Sequence, residues 1–278
     1  MRLAEIRAQQ AKAQRKNRII GGVVVALVVV LVAFWTSRGG DKKKVTTTGS
    51  TTSTTAKATA TTAAAGGPPK GTPVAAGAKL DTWSCPKADG SSPRTDRFPA
   101  KAPPTCIDPA KKIVAKVTTS EGVIEYTLDT KKTPVTANNF AVLARYHYYD
   151  GTVITRIDDS IDIFQTGSPA TQTISDPGPG YDLPDEGTTF TYTEGDVVMA
   201  RSSAGSSAGQ YFVVTGAKAG AALNSQGNYI TFAKITTGLD VAKRIFGLFE
   251  PCAAGDSECL GGAPSKLVTI QKVEIQEN

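Results

Sequence analysis

One stretch divides this chain before any other feature is read. Ile19 to Ser37 runs IIGGVVVALVVVLVAFWTS, 19 residues without a charge. As a helix it would measure about 28 Å, against a hydrocarbon core of roughly 30 Å. Trp35 stands at one end, where an indole favours the interface. Arg15, Lys16 and Arg18 lie against its entry. The expectation is a single-pass anchor in the cell membrane, with the N-terminus cytoplasmic and the C-terminal part extracytoplasmic. A cleaved signal peptide is the alternative, but the stretch is longer than the usual apolar core of one and no clear A-x-A site follows.

The charge follows the same division. The chain of 278 residues carries 31 Lys and Arg against 25 Asp and Glu. Ten basic and two acidic residues lie within 1–44, which leaves 21 basic and 23 acidic over the other 234. The basic balance belongs to the tail, so the folded part is not expected to bind nucleic acid. Residues 45–80 hold 11 Thr, 9 Ala, 5 Gly, 3 Pro and 2 Ser in 36 positions, with no acid and no aromatic. Such a segment has too little apolar surface to offset its ordering entropy. The expected organisation is a basic tail (1–18), a transmembrane helix (19–37), a disordered stalk (38–80), a Cys-containing extension (81–110) and a folded domain (111–278).

Few residues are available for nucleophilic or metal chemistry. His147 is the single histidine. Cys85 and Cys106 flank a Pro-rich stretch, and Cys252 and Cys259 flank the loop CAAGDSEC. Four cysteines allow three pairings. Nearest-neighbour disulfides are expected, because each couple brackets one loop and an exported location favours oxidation. Zinc is the alternative, but neither couple has C-x₂₋₄-C spacing. No metal and no cofactor is expected. Gly205-Ser206-Ser207-Ala208-Gly209 fits the G-x-S-x-G pattern of hydrolases. It reads as a small-residue loop between strands, however, and its base would have to be His147, in a Tyr-rich turn.

From Ile113 the texture is that of a β domain. Ile113–Thr119 and Val123–Asp129 are rich in β-branched residues around a Ser120-Glu121-Gly122 turn, a hairpin signal. Thr133-Pro134 reads as an N-cap with Pro at the first helical position. The helix it opens carries an apolar stripe of Val135, Phe140 and Leu143 and ends near Tyr146. Short β-like runs follow at 151–157, 161–165, 196–200, 211–215 and 229–234, then a second helix at about Leu239–Phe246 and a final strand over 266–275. The pattern suggests a mainly β, closed barrel with helices capping its ends.

An ordered set of segments carries a resemblance. Gly122-Val123-Ile124-Glu125 with Leu128 opens it, followed by Thr133-Pro134-Val135-Thr136-Ala137-Asn138-Asn139-Phe140 and Tyr148-Tyr149-Asp150-Gly151-Thr152. Then come Ile154-Thr155-Arg156-Ile157, Gln165-Thr166-Gly167-Ser168-Pro169, Gly178-Pro179-Gly180-Tyr181 with Asp185-Glu186, Val198-Met199-Ala200 and Gly209-Gln210-Tyr211-Phe212. In this order they resemble the cyclophilins, a family of peptidyl-prolyl cis–trans isomerases, over about residues 111–276. The resemblance implies an eight-stranded antiparallel barrel capped by two helices.

It also implies roles for particular residues. Arg156 would meet the prolyl nitrogen, and Gln165 would steer its guanidinium. Met199, Phe212 and Leu223 would line a proline pocket, and Tyr229 would border it. Gln210 and the backbone of Arg201 would hold the peptide main chain. The expected partners are Pro-containing segments of exported proteins and the membrane through Ile19–Ser37, with the protein a monomer.

The sequence departs from the family in ways that bear on rate. The family's Phe-His-Arg is Ile154-Thr155-Arg156 here. One extra residue separates Arg156 from Gln165, and Asp158, Asp159 and Asp162 enter there. The aromatic expected near Ile161 or Asp162 is absent, Arg201 replaces an asparagine, Ala221-Ala222 stand where an aromatic often contacts cyclosporin, and Tyr229 replaces a histidine. A lost aromatic wall removes about 1–3 kcal/mol of apolar contact. The two expectations are a slow isomerase that assists the folding of exported proteins and binds cyclosporin weakly, or a catalytically weak or inactive cyclophilin-like module that binds Pro-containing peptides or an envelope partner.

Overall fold

The computed structural model describes residues 67–202, 205–256 and 259–278. The basic tail, the expected membrane helix and the stalk up to residue 66 lie outside these. Among the described residues, no helix is long and apolar enough to cross a membrane.

Alternation builds the first hairpin. In β3 (Ile113–Thr119) the side chains of Ile113, Ala115 and Val117 are fully buried, and in β4 (Gly122–Leu128) Ile124, Tyr126 and Leu128 turn the same way. Residues two apart on a strand share a face, so one face of the pair is apolar throughout. Two short strands precede them, β1 (Ala78–Lys79) and β2 (Thr95–Arg97), paired parallel. After them come α1 (Pro134–Arg145), β5 (Arg156–Asp158), β6 (Ile163–Thr166), β7 (Asp182–Leu183), β8 (Asp196–Arg201) and β9 (Ser206–Val214). The chain closes with α2 (Lys218–Leu223), β10 (Thr231–Thr237), α3 (Leu239–Phe246), β11 (Phe249–Pro251), β12 (Gly262–Pro264) and β13 (Ile270–Glu277). The short α2 has no counterpart in the sequence reading. The Gly-Ser-rich run expected as a loop is instead the start of β9, because Ser206 and Ser207 pair with β7.

The strand order is β11-β12-β5-β6-β9-β8-β10-β4-β3-β13, with β7 on β9. Eight of these, from β5 to β13, form the wall of the expected barrel. It is not a continuously hydrogen-bonded ring. The two ends meet at one bridge, Val153 to Thr269. The Ile154 N–H donates to Val268 (2.9 Å) and the Ile270 N–H to Thr152 (2.7 Å). Gly151, at φ +83°, turns the chain away before a longer ladder forms.

Helix α1 departs from the amphipathic stripe that its sequence suggests. Val135 is exposed, whereas every residue from Thr136 to Arg145 is buried. Its inner side carries Phe140, whose ring packs on Tyr149, Tyr211 and Phe232 at centroid distances of 4.9, 5.5 and 5.1 Å. Its outer side is covered by the 81–110 extension. Asn138 accepts from the Cys106 N–H (2.7 Å) and donates to Pro104 (2.9 Å). Disulfides join Cys85 to Cys106 and Cys252 to Cys259. Trp83 stacks on Phe98 at 5.1 Å and meets Tyr181 edge-on at 5.8 Å.

The cap of α1 also differs from expectation. Thr133 makes no side-chain cap; its hydroxyl donates to the Asp129 carbonyl at 3.1 Å. Glu186 does the capping from 50 residues away. One carboxylate oxygen accepts from the Val135 N–H and the other from the Thr136 N–H, both at 2.8 Å. A carboxylate there answers both the orphan donors and the positive end of the helix.

The last part of the expected stalk lies on the domain. The Val74 N–H donates to Pro169 at 2.9 Å, and Lys70 pairs with Asp256 at 3.0 Å. Residues 70 and 74 thus contact the domain directly.

Candidate active site

Register assembles the core of the site. Arg156 on β5 stands opposite Gln165 on β6, and Gln165 stands opposite Phe212 on β9. Three adjacent antiparallel strands thus place a guanidinium, an amide and a phenyl ring in one row on one face. The row opens into a hollow of about 350 Å³. Ala200 and Arg201 enter it from the end of β8, Leu223 from α2 and Tyr229 from the approach to β10. Ile161, Ile163, Ile174 and Leu260 complete the lining. None of these residues comes from the extension.

Arg156 is held at three nitrogens. Its Nε–H donates to the Leu260 carbonyl at 3.1 Å, Nη1 donates to Gln165 Oε1 at 3.4 Å, and Nη2 donates to the Asp158 carboxylate. A guanidinium has further N–H groups on Nη1 and Nη2 to offer a ligand. Gln165 then donates to Gln210 Oε1 at 2.8 Å, and Gln210 donates to the carbonyls of Ile174 and Asp176 at 3.3 Å. Both glutamines are buried. The result is a relay of amides that fixes the orientation of Arg156 from behind.

The apolar side is a corner rather than a sheet face. Phe212 meets Tyr229 edge-on at 5.9 Å. Tyr229 is held in turn at its backbone: its N–H donates to the Tyr192 hydroxyl at 2.9 Å, and that hydroxyl donates to the Tyr229 carbonyl at 3.1 Å.

Met199 does not line the hollow. It is fully buried and pairs with Tyr211, whose ring sits in the interior cluster with Phe140 and Tyr149. Its neighbours in sequence, Val198 and Ala200, take the other face, where Val198 pairs with Phe212. The aliphatic wall comes from Ile163, two residues before Gln165 and hence on the same face. That alternation was available in the sequence; nothing local pointed to Leu260. Asp162, where an aromatic was expected, is also outside the lining. It sits at φ +52° with its carbonyl accepting from the Thr215 N–H (2.8 Å) and its carboxylate accepting from the Lys218 N–H (3.0 Å).

Arg201 was expected to act through its backbone, and its side chain has a partner of its own. The guanidinium donates to both oxygens of Asp185 and to the Ser206 hydroxyl at 3.1 Å. The hydrogen bond from Arg201 holds the Asp185 carboxyl below its ordinary range, and the same bond raises the Arg201 value. A second hollow of about 270 Å³ adjoins the first, sharing Gln165, Ile174, Ala200 and Arg201.

The decoys resolve structurally. Ser207 Oγ accepts from the N–H groups of Gly209 (3.2 Å) and Gln210 (2.9 Å) within a strand, not at a nucleophile elbow. His147 has both ring nitrogens engaged, Nδ1 with Asp150 at 2.8 Å and Nε2 with the Gly90 carbonyl at 2.9 Å. Among the described residues, no group of His, Cys, Asp and Glu is arranged to hold a metal ion.

The site thus sets an arginine beside an apolar hollow on one face of the sheet. The sequence model of the cyclophilin type peptidyl-prolyl cis-trans isomerase family matches residues 114–275. Peptidyl-prolyl cis-trans isomerase A of Dickeya dadantii (strain 3937) is 30% identical over 166 residues, 57% of this chain and 82% of the relative. Among solved structures, a cyclophilin type isomerase of Cryptosporidium parvum in the presence of the dipeptide Ala-Pro aligns with a TM-score of 0.43 and 21% identity, over 59% of this chain and 99% of that one. A second structure of that protein gives 0.44 and 21%, over 60% and 99%. The chain belongs to the cyclophilin-type family and is a peptidyl-prolyl cis-trans isomerase.

Proposed function

We propose that Arg156 drives the isomerisation by hydrogen-bonding the prolyl nitrogen as the amide twists. Rotation about an X–Pro bond meets a barrier of roughly 20 kcal/mol because the C–N bond is partly double. Twisting breaks the resonance and returns a lone pair to nitrogen. A donor that is aimed at that lone pair, and finds nothing comparable in either planar form, stabilises only the transition state. In this reading the proline ring docks among Phe212, Leu223, Ile163 and Tyr229, and an Nη N–H of Arg156 reaches its nitrogen. Gln165 keeps the guanidinium in plane, while Gln210 and the backbone near Arg201 hold the flanking main chain. No nucleophile, metal or cofactor takes part.

The observation that carries this reading is the Arg156–Gln165–Phe212 row, which puts the donor and the proline pocket on one face. The substrates proposed are X–Pro segments of exported proteins, met outside the membrane to which Ile19–Ser37 tethers the chain. The test is exchange spectroscopy on an Ala-Pro peptide with the full chain. Arg156→Ala should cut kcat by about a hundredfold or more while the peptide still binds. Equal exchange rates for wild type and Arg156→Ala would reject the mechanism.

A second reading is favoured by one contact. Asp158 on Nη2 partly neutralises the guanidinium that the reaction uses. In that reading the domain turns over slowly and serves mainly to bind Pro-containing peptides. Saturable binding with no acceleration of exchange would support it.

A further inference from the structure

Part of the wall of the hollow comes from the segment just before β12. Leu260 stands there, a large aliphatic residue 54% exposed to solvent. Its carbonyl accepts from Arg156 Nε–H at 3.1 Å, and the residue belongs to the lining of the same cavity. Burial does not hold this residue, so its neighbours must. Immediately before it, Cys259 is bonded to Cys252, which follows the end of β11. Immediately after it, Gly261 turns at φ +81°, and Gly262 pairs with Ile157, the residue following Arg156 on β5. A Cβ on Gly262 would lie 2.2 Å from the Glu250 carbonyl, so β12 is wedged between β11 and β5. Leu260 is thus fixed on one side by a covalent bond and on the other by strand register.

We infer that the Cys252–Cys259 disulfide makes Leu260 a working part of the isomerase site. Its side chain stands in for the absent aromatic wall, and its carbonyl is a positioning group for Arg156. This rests on the Arg156 mechanism above. Arginine has several rotatable bonds, and a fixed acceptor on Nε removes most of that freedom before substrate arrives. The side chain acts differently: its exposed part is apolar surface that a proline ring would cover on binding. The two roles therefore separate kinetically. Loss of the side chain weakens ground-state contact and raises KM. Loss of the disulfide loosens the carbonyl and lowers kcat.

The test uses the full chain and an Ala-Pro peptide, with exchange spectroscopy for turnover, a shift titration for affinity and solvent exchange of the Arg156 Nε–H. Leu260→Ala should weaken affinity roughly three- to tenfold with kcat nearly unchanged, and Leu260→Met should restore it. The double variant Cys252→Ser/Cys259→Ser should lower kcat about tenfold and speed Nε–H exchange. Cys85→Ser/Cys106→Ser, on the far side of α1, should lower thermal stability and leave both kinetic constants alone. Unchanged affinity in Leu260→Ala, together with an unchanged Nε–H in the Cys252/Cys259 variant, would overturn the inference. A wild type that binds peptide without turnover, with Nε–H protection still lost in that variant, would instead overturn the mechanism and leave the positioning role standing.

Discussion

In the proposed mechanism, the balance at Arg156 between holding and using a charge is set by its three partners. The Leu260 carbonyl and Gln165 Oε1 are neutral acceptors that orient the guanidinium without cancelling its field. Asp158 does both. Side chains at this pair are only 14% exposed, so solvent screens the interaction incompletely. Replacing the carboxylate by an amide keeps an acceptor in place and removes the opposing charge. Asp158→Asn is therefore expected to raise kcat by about two- to fivefold with little change in KM. A fall in kcat would show that orientation by the carboxylate outweighs its neutralising effect. The sequence displayed Asp158, Asp159 and Asp162 as foreign to the site, but only the coordinates separate them. Asp158 engages the guanidinium, while Asp162 faces Lys218 at 3.0 Å and helps to start α2.

Among the elements, α1 shows how far a local signal reaches. Thr133-Pro134 marked the first turn correctly, because Pro at that position loses no hydrogen bond. The cap itself came from Glu186, which no local rule connects with residue 135. Its carboxylate serves two helix N–H groups and the Thr136 hydroxyl, all at 2.8 Å. Glu186→Ala should cost about 1–2 kcal/mol of stability, read as a lower urea midpoint at unchanged slope. Glu186→Gln should cost less, since one acceptor oxygen survives. A midpoint within error of wild type for Glu186→Ala would mean that water replaces the cap. The same helix explains why an apolar stripe misread its environment. Asn138 and Asn139 are buried because each has partners, Asn138 in the extension and Asn139 on β9 through the Ala208 carbonyl at 2.7 Å.

For the whole molecule, the interior is a cluster of tyrosines, and it sets the alkaline limit of the fold. Burial raises the phenols of Tyr126, Tyr148, Tyr149, Tyr181 and Tyr211 above their ordinary value. Neighbouring Asp176 and tyrosines add to the shift at Tyr148. A raised phenol keeps its proton in the folded state while the unfolded chain ionises near pH 10. The stability from these groups is thus complete below about pH 10 and falls as pH rises beyond it, by about 1.4 kcal/mol per pH unit for each tyrosine. Urea midpoints should be flat from pH 7 to 9 and drop steeply above 10, with the tyrosinate absorbance of these five residues appearing together with unfolding. Ionisation of more than three of the eight tyrosines while the fold persists would contradict the burial argument.

Local chemistry in the sequence determined the longer strands, the starts of α1 and α3, the two cysteine couples and the order of motifs that marks the family. Those follow from alternation, from proline and glycine, and from spacing within a few residues. It also contained Ile163, two positions from Gln165, for a reader who carried the alternation through. Tertiary structure alone decided that Met199 faces the interior, that Glu186 caps α1, and that Leu260 meets Arg156 across 104 residues of sequence. These contacts depend on strand register and on which elements pack together. A one-residue slip in register would exchange the faces of β8 and β9 without altering a single local preference.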